Sequence, residues 1–364
     1  MRGALATGAL GLALVLLGVA VDAEPLLVPG VALIALAAAS AGWVAAAARG
    51  ASVERQLSAS RVMEEEPLTV RITARAGALP FPGGVLEDPL LPDAAPLRSG
   101  RSVARLRIDV RFGRRGPRTL AAPALALRDP LGVAGRRLVE GEGAEERVLV
   151  LPRVHPVTAT GEGSPLQSGG RAAPIAGAAI ELDGLRPYRA GAPASRIHWA
   201  ALARGAGLLE RRLRPEGEGR PLVVLDAAGP ADADDLDAAV RAAASLGHAL
   251  ARGGGCSILL PGDRRATALE ADGRGWPAVH ARLALVAPGP AASALGAAAA
   301  GAQAVYYVAA RRGARAPQRI LRGHGHQRVV LVVPGQWAGR RAAFSVAGCS
   351  GYVLASGVRA AVGA

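Results

Sequence analysis

The chain has 364 residues, a formal net charge of +14, 51% hydrophobic residues and only 3% aromatics. That length suits roughly two or three domains at about 100–200 residues each. Its two cysteines, Cys256 and Cys349, lie far apart with no C-x-x-C or Cys/His ligand spacing, which gives a zinc site no support. A basic balance points to nucleic acid or an anionic membrane surface. Here the charge is spread thinly, and lysine and asparagine are absent altogether. Both have A/T-rich codons, so part of the arginine content reflects codon supply.

The first 50 residues read as a transmembrane hairpin. "GALATGALGLALVLLGVAV", residues 3–21, is uncharged, and its about 28 Å of helix matches a hydrocarbon layer of about 30 Å. Asp22, Glu24 and Pro25 interrupt it. "LLVPGVALIALAAASAGWVAAAA", residues 26–48, is a second uncharged run with Trp43 near its end, where interfacial aromatics are favoured. Ala4, Gly8, Ala9 and Ala13 give small-residue spacing for close helix contact. Arg2, Arg49, Arg55 and Arg61 flank the spans, while the connecting loop holds only acids. The positive-inside rule then puts both termini and the soluble domains in the cytoplasm. A cleavable signal peptide is the competing reading, with a small-residue site at Val21-Asp22-Ala23. The length of the apolar run and the second span behind it favour the hairpin.

Residues 51–153 change pattern. "PLTVRITAR", "SVARLRIDVRF" and "ERVLVLPRV" alternate apolar with polar residues, as half-buried strands do. Turns such as "LPFPGG" and "RRGPR" separate them. This predicts a small antiparallel β-sandwich with its arginines on a solvated face. Residues 154–180, rich in Gly, Ser, Pro and Ala from Thr158 onward, read as a linker.

Residues 181–364 alternate strands and helices. "PLVVLD", ending in Asp226, is followed by a helical stretch with acids in its first turn and Gly253 as its stop. "CSILLP", "AVYYVAA", "RVVLVVPG" and "GYVLAS" read as further strands, "GWPAVHARLALVA" and "AASALGAAAAGA" as helices. Continuous buried strands alternating with helices predict a mostly parallel, doubly wound sheet. Ligands sit at the carboxyl ends of such strands, where Asp226 stands.

Motifs for chemistry are scarce. The chain has no phosphate-binding G-x-x-x-x-G-K-[ST], no G-x-S-x-G elbow and no H-E-x-x-H. His324 and His326 in "GHGH" read as solvated loop residues without a third ligand. Asp232, Asp234, Asp235 and Asp237 read as a helix start before they read as a cation site. Asp226, His248 and Ser257 are a set from which a hydrolase site could be assembled without a motif.

Two stretches carry a resemblance. One is "RFGRRGPRTLAAPALALRDPLGVA", residues 111–134. The other is "GLRPYRAGAPASRIHWAALAR", residues 184–204, continued by "GLLERRL". In this order, behind a hairpin and before "VVLD", they resemble the bacterial family called domain of unknown function 58. The matching positions of the second motif are Arg186, Tyr188, Gly191, Arg196, Ile197, Trp199, Ala203 and Arg204. The resemblance implies a C-terminal domain similar to the von Willebrand factor A type. It also implies a MoxR-type AAA+ ATPase and a transglutaminase-like membrane protein as partners, and no enzymatic activity. The chain departs from the family where Ala192 replaces an aspartate and His198 an acid. It also departs at the D-x-S-x-S metal site of von Willebrand A domains: Asp226 keeps the aspartate, but Ala228 and Pro230 replace both hydroxyls.

The expected function is therefore a membrane-anchored, noncatalytic interaction or assembly module, with the lipid bilayer and the ATPase as partners. No cofactor, metal or catalytic residue is expected, and nucleic acid is not an expected partner. In the 184–204 motif, Trp199 and Ile197 either pack a helix onto the sheet with Arg186, Arg196 and Arg204 in structural ion pairs, or the arginines form a docking face for an acidic partner. The alternative functions are a hydrolase on the α/β half and a basic membrane-surface or nucleic-acid binder.

Overall fold

The computed structural model describes residues 2–139, 146–159, 182–187, 199, 203–205, 207–213, 220–289, 294–321, 328–337 and 339–354. The chain is a mixed α/β protein of two compact units, Met1–Leu151 and Pro152–Ala364.

The first unit opens with α1 (Arg2–Ala20) and α2 (Glu24–Ala48). Both are long and apolar enough to cross a membrane, and only 17% and 28% of their apolar windows are buried. A core helix of a soluble domain would be covered on all sides. Here Leu5, Leu10, Leu16 and Val28 are all more than half exposed. The helices cross at Gly11 and Gly30. A Cβ on Gly30 would stand 2.9 Å from the Gly11 carbonyl oxygen and 2.7 Å from the Val15 side chain. The small-residue contact thus runs through Ala4, Gly11 and Gly18, which are buried, whereas Ala9 and Ala13 of the expected stripe are exposed. Spacing by sevens, and not by fours, keeps one side of a helix against its antiparallel neighbour.

The rest of this unit is β structure. β1 (Ser52–Leu57), β3 (Leu68–Arg75) and β6 (Val103–Val110) form one antiparallel sheet, ordered β1-β3-β6. β2 (Arg61–Met63), β10 (Glu146–Leu151) and β7 (Gly116–Leu120) form a second, in which β2 and β10 run parallel. β5 (Ala95–Leu97), β4 (Gly84–Glu87), β8 (Ala124–Arg128) and β9 (Gly135–Val139) form a third. The "RRGPR" expected as a turn runs into β7, which begins at its glycine. Alternation works as expected: in β3, Leu68, Val70, Ile72 and Ala74 face in and Arg71 and Arg75 face out. Arg55 is the exception. It lies on the same face as Val53 and is buried. Its charge is matched inside the unit, so the basic flank of α2 is carried by Arg49 and Arg61.

Hairpin and sheets share one core. Ala4, Val44, Ala47 and Ala48 belong to the same buried cluster as Val53, Ile72, Phe81 and Ala134. Gly77 lies against the end of α2, donating its amide to the Ala47 carbonyl at 3.0 Å. A Cβ there would stand 1.9 Å from the Arg49 carbonyl oxygen, so only glycine fits.

The second unit is built on an eight-stranded sheet, β11-β19-β20-β18-β17-β14-β15-β16. Its parallel centre is β15 (Cys256–Leu259), β14 (Leu222–Asp226), β17 (Ala304–Ala309) and β18 (Arg328–Pro334). Both faces are covered. Val223, Leu225, Tyr306 and Val308 pack under α3 (Ala233–Arg252) and α4 (Trp276–Ala284). Leu222, Val224, Val305 and Tyr307 pack under α5 (Leu295–Ala300) and α6 (Gln318–Leu321). Asp232 caps α3 by accepting the Asp235 amide at 2.7 Å, and Gly253 ends it.

The edges depart from the mostly parallel sheet the sequence predicts. β16 (Thr267–Leu269), β20 (Cys349–Leu354), β19 (Phe344–Val346) and β11 (Thr158–Ala159) are all antiparallel to their neighbours. Connection length explains this, because a parallel crossover needs a dozen or more residues. Only residues 260–266 join β15 to β16. β19 and β20 are joined by Ala347 and Gly348, both at positive φ, as a two-residue hairpin requires. β11 also corrects the start of the expected linker. His155 donates its amide to Ser245 Oγ at 2.9 Å, and Pro152 accepts from His280 Nε2 at 2.7 Å. Residues 152–159 are thus part of the second unit.

Candidate functional site at the carboxyl edge of the sheet

Strand order fixes where a site can form. From β14 the chain crosses to β15 on one side; β17 and β18 build out on the other. The crevice where the direction reverses lies beyond the carboxyl ends of β14 and β17. Asp226 ends β14 and pairs in register with Ala309 at the end of β17.

Asp226 is already engaged. Its Oδ1 accepts the Ala228 amide at 3.0 Å, and its Oδ2 accepts the Tyr307 hydroxyl. Burial and the carboxylate partner together push the Tyr307 phenol well above its ordinary range, so it remains a donor. Ala228 and Pro230 add no side-chain oxygen. Across the crevice, Arg312 follows β17 and reaches the start of α3. Its Nε lies 2.8 Å from Asp235 Oδ2, and its Nη2 lies 3.7 Å from Asp232 Oδ2. Asp232 and Asp235 thus serve a helix cap and this clamp, in line with a helix start. Pairing with Asp235 raises the Arg312 pKa.

Beside the clamp opens a cleft of about 650 Å³, lined by Asp234, Asp235, Arg241, Arg312 and Gln336 and by backbone at Gly335 and Gly348. Side chains of both charges line it. The spacing of acids in the sequence points to the helix start; nothing in it marks Arg312 or Gln336, which arrive from separate loops.

The hydrolase set is not brought together. Ser257 pairs with Leu222 at the opposite end of β14, four residues or about 13 Å from Asp226. His248 packs near the end of α3 against Trp276, ring centroids 4.9 Å apart. Both thiols are buried, and burial pushes each up to about 12, leaving them protonated and unreactive.

The 184–204 motif is described in part. Arg186 lies in β12 (Leu182–Pro187), which pairs antiparallel with β13 (Leu209–Leu213). The motif therefore folds back on its own continuation, and Arg186 stands opposite Glu210. Trp199 is helical and 59% exposed, so it does not pack into the sheet core as a brace would. Arg204 is exposed in the turn that follows. Tyr188, Gly191, Arg196 and Ile197 lie outside the described residues, as do His324 and His326.

Compared with known proteins, the chain matches no family model, no curated protein and no solved structure.

Proposed function

We propose that this chain is a membrane-anchored, noncatalytic interaction module of the domain of unknown function 58 type, and that it works with a MoxR-type AAA+ ATPase. In this reading α1 and α2 span the bilayer, and both soluble parts face the cytoplasm. Arg49 and Arg61 beyond α2, against Asp22 in the connecting turn and Glu24 at the start of α2, support that orientation.

The second unit is read as a doubly wound domain of the von Willebrand A type whose metal site has been given up. One observation carries this. The aspartate at the end of the first strand is bonded to the Tyr307 hydroxyl and the Ala228 amide, and no hydroxyl side chain stands at residues 228 and 230. Recognition then falls to side chains at the same edge: the Asp235–Arg312 clamp and the mixed-charge cleft beside it. Such a surface suits a protein partner bearing both charges, and complementary charges govern its choice of partner. The exposed Trp199 adds an aromatic anchor on the same unit. A transglutaminase-like membrane protein is the further partner implied.

Co-purification tests the reading. The full chain, co-expressed with a MoxR-type ATPase from the same genome, retains it on an affinity column, and Arg312→Glu releases most of it. Failure of the parent chain to retain the ATPase, or full retention by the variant, would overturn the reading.

A further inference from the structure

The "RDPLGVA" stretch has a structural position that its resemblance does not explain. β8 ends at Arg128 and β9 begins at Gly135. Between them Asp129 holds the loop from inside. Its Oδ2 accepts the Leu131 amide at 3.2 Å and its Oδ1 the Ala134 amide at 2.5 Å. Its own amide donates to the Ala134 carbonyl at 3.1 Å. Asp129 is buried, and the loop is rigid because its backbone is tied at both ends. Leu131 at the tip nevertheless projects outward and is 67% exposed.

The loop meets the start of α1. A Cβ on Gly3 would stand 2.5 Å from the Val133 carbonyl oxygen. The antiparallel register, with Gly8 against Ala37 and Gly18 against Leu27, puts Gly3 level with the Trp43 turn of α2. From Glu24 to Trp43 the helix rises about 30 Å, the thickness of a hydrocarbon layer. With α1 and α2 read as spans, Gly3 and Trp43 fall at one boundary of the bilayer, and Val44, Ala47 and Ala48 beyond it enter the β core. β1 starts at Ser52, directly after the helix, so no tether lifts the sheets away. A tip two residues from the Gly3 contact lies at headgroup depth. Arg128 and Arg136 flank it, both exposed.

We propose that the loop 129–134 is a membrane-interfacial wedge: Leu131 enters the headgroup–acyl boundary of a phospholipid bilayer, and Arg128 and Arg136 face the lipid phosphates. The inference rests on the reading of α1 and α2 as membrane spans, and it holds for either orientation of the hairpin. An apolar side chain between basic residues is the pattern of surface-seated membrane segments. The wedge fixes the β part of the first unit upright on the bilayer.

Cysteine labelling tests this on the full chain in phosphatidylcholine–phosphatidylglycerol vesicles. Cys256 and Cys349 are buried, so a single introduced thiol takes the dye. Leu131→Cys carries an environment-sensitive fluorophore, Ala59→Cys in the exposed turn after β1 serves as the aqueous reference, and Leu16→Cys reports on the hairpin. The expected result is a blue-shifted label at residue 131, quenched about twofold or more over the label at residue 59 by lipids brominated near the headgroup. An aqueous signal at 131 together with a quenched label at 16 overturns the wedge and leaves the anchor standing. An aqueous signal at both overturns the anchor and the wedge with it.

Discussion

Arg55 and Asp88 form an ion pair inside the β part of the first unit, Nη1 to Oδ2 at 3.1 Å, with side chains 1% and 0% exposed. The guanidinium is fully engaged. Its Nε donates to Glu146 at 2.7 Å, and its other nitrogens reach the Ala121 and Leu120 carbonyls at 2.9 and 3.3 Å. Asp88 accepts the Leu90 amide at 2.8 Å as well. One cation thus ties β1 to segments far along the chain.

Removing Asp88 leaves the buried guanidinium with the part-exposed Glu146 as its one charged partner, so the cost approaches without reaching the about 3–5 kcal/mol of a buried charge left wholly unpaired. Asp88→Ala is expected to lower the melting temperature of the purified chain markedly. Arg55→Met combined with Asp88→Leu removes both charges and is expected to recover most of the loss. Thermal unfolding of the two variants beside the parent checks this. A parent-like melt of Asp88→Ala would remove the pair from the stabilising interactions of the core.

The second unit has a pH dependence built around His280. The ring is buried, bonds the Pro152 carbonyl at 2.7 Å and stacks on Trp276, whose other neighbour is His248. Burial lowers the pKa of His280, outweighing the carbonyl bond that raises it; burial and Arg252 lower that of His248. Both rings are therefore held neutral in the fold. Below an unfolded pKa of about 6.5 the unfolded chain binds more protons than the folded one, so stability rises with pH in that window. The contribution is present above about pH 6.5 and is lost as pH falls toward the depressed folded values. Denaturant midpoints measured between pH 8 and pH 5 are expected to fall with acid, and His280→Gln is expected to flatten the slope. A midpoint that rises on acidification contradicts the sign.

How much of this was legible follows from the range of each interaction. The α3 helix was, because its cap at Asp232, its stop at Gly253 and its periodicity all lie within one stretch. The buried strands β14, β17 and β18 were, because four or more consecutive apolar residues mark them. The three-residue strands β2, β5, β16 and β19 carry too short a pattern to show period two. The burial of Arg55 depends on Asp88, 33 residues away, and Glu146, 91 residues away. Alternation alone assigns such an arginine to solvent. The cleft beside Asp235 has the same origin, since Arg312 comes from the loop after β17 and Gln336 from the loop after β18.

The hairpin crossing is testable by cross-linking. A Cβ on Gly8 would stand 3.7 Å from the Ala37 Cβ, within the range a disulfide spans. Gly8→Cys with Ala37→Cys is expected to oxidise readily in membranes, whereas Ala9→Cys with Ala37→Cys, from the exposed side, is not. Adding Gly30→Leu forces side-chain atoms into the Gly11 backbone and is expected to cut the first yield several-fold, because close approach here depends on the absence of a side chain. An unchanged yield would mean that the helices do not cross at Gly11 and Gly30.

Magnesium demands near-octahedral oxygen ligation at about 2.1 Å and is held by carboxylates only when enough oxygens converge. At the Asp226 strand end the Tyr307 hydroxyl takes one carboxylate oxygen and the Ala228 amide the other. The Ala228 methyl and the Pro230 ring supply no lone pair. Arg311 packs beside Gly229, its Cδ 3.6 Å from where a Cβ would stand, which brings an arginine side chain to this strand end. A metal would have to displace the tyrosine, gain no second protein oxygen from residues 228 and 230, and settle beside a positive charge. Calorimetric titration of the full chain with magnesium or manganese is therefore expected to show no stoichiometric site of micromolar affinity. Tyr307→Phe frees one lone-pair position without adding a ligand and is expected to leave the titration flat while lowering stability by about 1–3 kcal/mol. Stoichiometric micromolar binding that disappears in Asp226→Ala would show that Asp226 works as a metal ligand, and would overturn the proposal that recognition falls to the Arg312 edge.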